Sequence, residues 1–64
     1  MKRILQPRRI REGRLFRNLT QADVAEGIGV TKQSVSQYET GVLELSTETL
    51  EKISDFLDFP LSFF

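Results

Sequence analysis

TQADVAEGIGVTKQSVSQYETG, residues 20–41, is the stretch whose reading decides the fold of this chain. Thr20 suits a helix start, because its hydroxyl can accept from the free N–H groups of the next turn while Asp23 answers back in a capping box. A helix is predicted from Gln21 to about Ile28, with Val24, Ala25 and Ile28 on its inward face. Gly29 follows as a turn residue free to take positive φ, and Ala25 is small enough for a second helix to cross closely. Val30 plugs the corner and Thr31 caps a second helix, Lys32 to about Thr40, which Gly41 ends.

In that second helix Val35 and Tyr38 face inward at i, i+3 spacing. Lys32, Gln33, Ser36 and Gln37 are left outside, with Ser34 at the edge. A merely solvated helix tends to use Glu and Lys, whereas this face carries one formal charge before Glu39. Amides at i, i+4 with Lys and Ser in the first turn are what bidentate reading of base edges asks for.

Outward from this pair, residues 1–6 read as a flexible basic tail and residues 7–64 as one domain. Pro7 suits the first position of a helix, where its missing N–H costs nothing. That helix is expected to run to about Arg17, with Ile10 and Arg14 sharing a face and Leu15 and Phe16 beside it. Gly13 inside it costs about 1 kcal/mol relative to Ala, either to admit a close neighbour or simply as a tolerated residue. Asn18 suits a left-handed helix end, and Leu19 returns the chain to the core. After Gly41, Ser46 or Thr47 caps a fourth helix to Leu57, with Leu50, Ile53 and Leu57 inward and Phe56 alongside. Glu48 and Glu51 suit the positive end of its dipole. Asp58 breaks it, and Pro60 opens a short fifth helical turn to Phe64. The closing Leu-Ser-Phe-Phe either seals the core or buries against a second copy or a following domain.

The chain has 64 residues, no Cys and no His. A domain this size buries only about 60% of the surface its unfolded chain exposes. Disulfides, thiolate nucleophiles, imidazole bases and the usual zinc ligand sets are excluded, so neither a metal nor a cofactor is expected. Carboxylate chemistry is the remaining enzymatic option, through a pair such as Asp55 and Asp58. Three residues apart at a helix end is how solvated charges fall, so the chain reads as a non-enzyme. No apolar run approaches the roughly 20 residues needed to span a bilayer, and the start MKRILQPRRIREG lacks a signal peptide's apolar core. A cytoplasmic protein is the expectation.

A net charge of zero hides an asymmetry. Residues 1–20 hold seven basic side chains (Lys2, Arg3, Arg8, Arg9, Arg11, Arg14, Arg17) against Glu12, a local +6, and residues 21–64 hold Lys32 and Lys52 against eight acids, a local −6. Anionic partners respond to local potential rather than to the sum.

With these residues placed, a family resemblance is evident. The run LTQADVAEGIGVTKQSVSQYETG followed by STETLEKISDFLDFP resembles the Cro/C1-type, or xenobiotic-response-element-type, helix-turn-helix family of phage repressors and bacterial regulators. The likeness covers residues 10–64: Thr20-Gln21, Ala25 with Gly29-Val30, Ser34-Val35, Tyr38-Glu39, Gly41, Thr49-Leu50 and Ile53 all fall in family register. It implies an all-α, lambda-repressor-like bundle of five short helices whose third helix enters the major groove of double-stranded DNA. Base-reading positions then fall on Lys32, Gln33, Ser34 and Gln37, with Ser36 beside them. Gln21 matches a position that holds a phosphate at a helix N-terminus; Arg11, Arg17, Thr31 and Thr40 complete the expected phosphate set. Arg14 and Glu39 match an internal ion pair joining the first helix to the third. The ending FPLSFF is similar to a branch in which this domain precedes a metallopeptidase-like domain, so a further C-terminal domain belongs to the expectation.

One departure bears on function. Where the family commonly places Lys, Arg or Asn after the third helix, this chain has Val42-Leu43-Glu44-Leu45, and a carboxylate there repels phosphate. Backbone affinity must then come mainly from the arginines of the first helix and the tail, or the isolated domain binds weakly and depends on a partner copy; weak monomer binding rescued by a homodimer on a palindromic operator is the favoured expectation. The alternative is a protein-interaction module that keeps the fold and uses Val42, Leu43 and Leu45 as an apolar patch.

Overall fold

The computed structural model describes residues 5–64. Its elements are α1 (Pro7–Phe16), α2 (Gln21–Ile28), α3 (Lys32–Thr40) and α4 (Thr47–Leu57), closed by a single 3-10 turn over Leu61–Phe63. Among the described residues there is no strand. The structure thus has four helices where five were expected. The last segment is too short for an α-helical turn to propagate: Pro60 directs the chain, and its ladder is limited to Phe63 N–H donating to the Pro60 carbonyl and Phe64 N–H to Leu61.

Each boundary has a chemical cause. Thr20 accepts from the Asp23 N–H at 3.0 Å and Asp23 accepts from the Thr20 N–H at 2.9 Å, a complete capping box. The hydrogen bonds from the Thr20 backbone and side chain hold the Asp23 carboxyl below its ordinary range. Thr31 accepts from the Ser34 N–H at 3.1 Å and Ser46 from the Thr49 N–H at 3.1 Å, so Ser46 rather than Thr47 is the cap of α4. Helix ends use left-handed residues: Gly29 at φ 77° and Gly41 at φ 81°, with Asp58 closing α4 at φ 60°. Asn18 takes the same conformation at φ 60° in the turn after α1, which ends at Phe16 with Arg17 as its C-cap.

The core is one cluster of Ile10, Val24, Ala25, Ile28, Val35, Tyr38, Leu50, Ile53, Leu57 and Phe64. It lies between α1 on one side, the α2–α3 pair on another, and α4 beneath α2. Leu15 and Phe16, expected beside the inward face of α1, are 47% and 73% exposed, and Ile10, Gly13 and Arg14 occupy that face. Phe56 is likewise 40% exposed and lies over Gly27, where a Cβ would collide with its ring.

The C-terminal aromatics meet α1 rather than open solvent. A Cβ at Gly13 would come within 3.3 Å of both Phe59 and Phe63, so the glycine marks a close approach. Phe59 and Phe63 stack with centroids 4.4 Å apart, and Phe64 is buried in the core. The Gln6 N–H donates to the Phe64 carbonyl at 2.9 Å, and Leu5 packs against the core, so residues 5 and 6 belong to the domain. The rest of the expected basic tail, residues 1–4, lies outside the described residues.

Candidate nucleic-acid interface

The α2–α3 pair is built to hold one angle. Ala25, 4% exposed, sits at the crossing, and its carbonyl accepts from both Gly29 N–H at 2.9 Å and Val30 N–H at 3.0 Å. The turn is therefore fixed by backbone bonds as well as by packing.

A buried polar knot ties the pair to α1. Arg14 Nε donates to Glu39 Oε2 at 2.7 Å, Nη2 to Oε1 at 3.2 Å and Nη1 to the Leu19 carbonyl at 2.9 Å. Gln21 Nε2 adds a bond to Glu39 Oε1 at 3.1 Å. One carboxylate thus joins α1, the start of α2 and the end of α3. Both charged side chains are buried, and among the described residues no buried side-chain polar atom lacks a partner, which is the condition under which a buried pair is tolerated.

With α3 so fixed, Val35, Tyr38 and Glu39 are its buried residues. Lys32 and Gln33 are exposed, while Ser34, Ser36 and Gln37 are half-buried. The structure thus brings the five expected base-reading residues together on one helix. Neither Lys32 nor Gln33 is held by another side chain among the described residues, whereas the Ser34 hydroxyl accepts from Thr31 at 2.9 Å.

The expected phosphate contacts are more dispersed. Gln21 begins α2, with its amide partly committed to Glu39. Thr31 is the α3 cap, and the Thr40 hydroxyl donates to the carbonyls of Ser36 and Gln37 at 3.2 and 3.3 Å. Arg11 is exposed on α1. Arg17 is placed elsewhere: its Nε donates to the Leu57 carbonyl at 2.7 Å, its Nη2 to the Asp58 carbonyl at 2.8 Å, and its guanidinium lies 4.3 Å from the Phe59 ring centroid. It finishes the C-terminus of α4, where a cation complements the dipole. Nothing in local spacing signals that role, since its partners lie 40 and 41 residues away.

After α3 the chain turns through a Leu43 N–H bond to the Gln37 carbonyl at 3.1 Å, leaving Val42 74% exposed and Leu43 beside it. Asp55 and Asp58 are exposed, and among the described residues no acidic cluster is placed to hold a metal ion.

A family described as helix-turn-helix matches residues 10–64. The chain belongs to the Cro/C1-type helix-turn-helix family. This helix-turn-helix chain is 44% identical over 57 residues to an uncharacterized HTH-type transcriptional regulator, y4aM, of Sinorhizobium fredii, covering 89% of this chain and 40% of that protein. It is 41% identical over 54 residues to the cryptic phage CTXphi transcriptional repressor RstR of Vibrio cholerae, covering 84% of this chain and 49% of the repressor. A Sinorhizobium medicae HTH-type regulator is 36% identical over 56 residues, 88% of this chain and 40% of its own length. The chain thus spans less than half the length of these curated relatives. No solved structure matches it. No helix among the described residues is long and apolar enough to cross a membrane.

Proposed function

We propose that this chain is a sequence-specific, double-stranded DNA-binding transcriptional regulator, a cytoplasmic repressor that reads the major groove with α3. The observation that carries the reading is the outer face of α3, where Lys32, Gln33, Ser34, Ser36 and Gln37 stand on a helix locked by the Arg14–Glu39 pair. A helix presented rigidly from the second position of such a pair fits the roughly 12 Å major groove. The names of the relatives, regulators and a phage repressor, agree with it.

Gln21, Thr31, Thr40 and Arg11 supply backbone contacts in this reading, and Arg17 does not, because its donors are engaged at α4. Glu44 beside the end of α3 weakens phosphate contact there, so binding is by a homodimer on a palindromic site. Val42, 74% exposed, favours a second reading in which the loop after α3 docks a protein partner.

Fluorescence anisotropy with duplex DNA at low salt separates the two. The DNA reading expects binding that weakens steeply with salt, and Gln37→Ala is expected to relax base choice while leaving binding to random sequence nearly intact. Absence of any salt-dependent binding leaves the protein-docking reading standing alone.

A further inference from the structure

Residues 1–20 carry a local +6, but the structure divides the described cations by task. Arg14 is consumed by Glu39 and Leu19, and Arg17 by the end of α4. Arg9 pairs with Glu12 at 3.6 Å and lies 5.1 Å from the Phe63 ring centroid. Arg8 and Arg11 remain, both exposed and with no carboxylate partner among the described residues. Among the described residues, the one side-chain hydrogen bond of Arg8, Nη2 donating to Gln6 Oε1 at 3.5 Å, stands at the limit of such a bond.

Their position is the second observation. Pro7 meets the end of α3, since a Cβ at Gly41 would lie 3.4 Å from its Cγ, and Arg14 meets Glu39 on the same helix. Arg11 stands four residues after Pro7 and three before Arg14, so it emerges on the flank of α1 that adjoins α3. Arg8 lines a groove of about 470 Å³ together with Glu39 and Thr40 of α3. Arg9 and Gly13, by contrast, share the flank that meets the C-terminal aromatics.

We propose that Arg8 and Arg11 form a two-cation strip beside the C-terminal half of α3 that grips the sugar-phosphate backbone of the bound duplex, a role that no other exposed cation of α1 shares. The strip supplies the grip missing from the acidic loop after α3, and it rests on the DNA reading above. Arg8 is added to the phosphate contacts by this placement, and Arg9 is removed from consideration.

The test is the salt dependence of binding to a random 20-base-pair duplex, with the full chain and its Arg8→Gln, Arg11→Gln and Arg9→Gln variants. Each phosphate contact contributes about 0.9 to the slope of log affinity against log salt. Arg8→Gln and Arg11→Gln are each expected to flatten the slope by about that amount, with a uniform loss across sequences, while Arg9→Gln leaves it unchanged. Gln keeps helix propensity at these exposed positions, and matching melting curves establish that the variants are folded. Wild-type binding with unaltered slopes in Arg8→Gln and Arg11→Gln, or an equal loss in Arg9→Gln, overturns the strip alone. Failure of the wild-type chain to bind any duplex overturns the DNA reading and the strip together.

Discussion

Glu39 is the residue on which the geometry turns. Its two carboxylate oxygens take three side-chain hydrogen bonds, two from Arg14 and one from Gln21, and it is only 7% exposed. Glu39→Gln keeps the shape but leaves the Arg14 cation buried without a counter-charge, a change that costs roughly 3 to 5 kcal/mol. A domain of this size has a total stability on the order of 3 to 10 kcal/mol. Urea denaturation is therefore expected to show Glu39→Gln largely unfolded or close to it, with the double replacement Arg14→Met, Glu39→Met recovering much of the loss. Equal stability of Glu39→Gln and wild type would mean that the pair does not hold α3. The pairing itself was legible only through family register. Residues 14 and 39 are far apart in sequence, and the Gln21 contact to the same carboxylate had no local signal at all.

At the scale of the element, helix bounds were written in caps. Thr20 with Asp23, Thr31, Ser46, Gly29 and Gly41 all act within a few residues of themselves, so their chemistry is readable from spacing. What spacing hides is how helices are joined. Arg17 reads as one more cation on α1, yet it fastens α1 to the last turn of α4 and to Phe59. Arg17→Ala is expected to lower stability by about 1 to 2 kcal/mol, since it frees two carbonyls at a helix end, and thus to lower Tm by roughly 5 to 15 °C. DNA affinity of the folded protein is expected to stay unchanged. A selective loss of binding with no change in melting would return Arg17 to the phosphate set. Periodicity put Phe16 and Phe56 at the edges of the inward faces, but it could not show that Phe56 lies over Gly27 or that Phe59 and Phe63 close on Gly13, since those contacts form only on folding.

At the scale of the whole molecule, the opposed charges of the two halves act through placement. The structure takes three of the five described arginines of α1 and its C-cap into internal contacts, Arg9, Arg14 and Arg17. The acidic residues of α4 stand on the outside, with Glu48, Glu51 and Asp55 exposed. In the proposed reading, local potential steers a duplex toward α1 and α3 and away from α4, although the net charge is zero. In the proposed homodimer, acidic faces turned outward would leave the α3 faces toward the groove, and two half-sites one helical turn apart, about 34 to 36 Å, are the expected operator. Composition showed the split but not which arginines remain free to act, since that depends on contacts formed only on folding.

The central claim is that the outer face of α3 reads sequence, and selection of binding sites from a random duplex library tests it most directly. The account predicts an enriched palindrome with half-sites spaced by about one turn, and a shifted consensus when the same selection is run with Gln33→Ala or Gln37→Ala. Enrichment of no sequence, or one consensus shared by wild type and both variants, would contradict it.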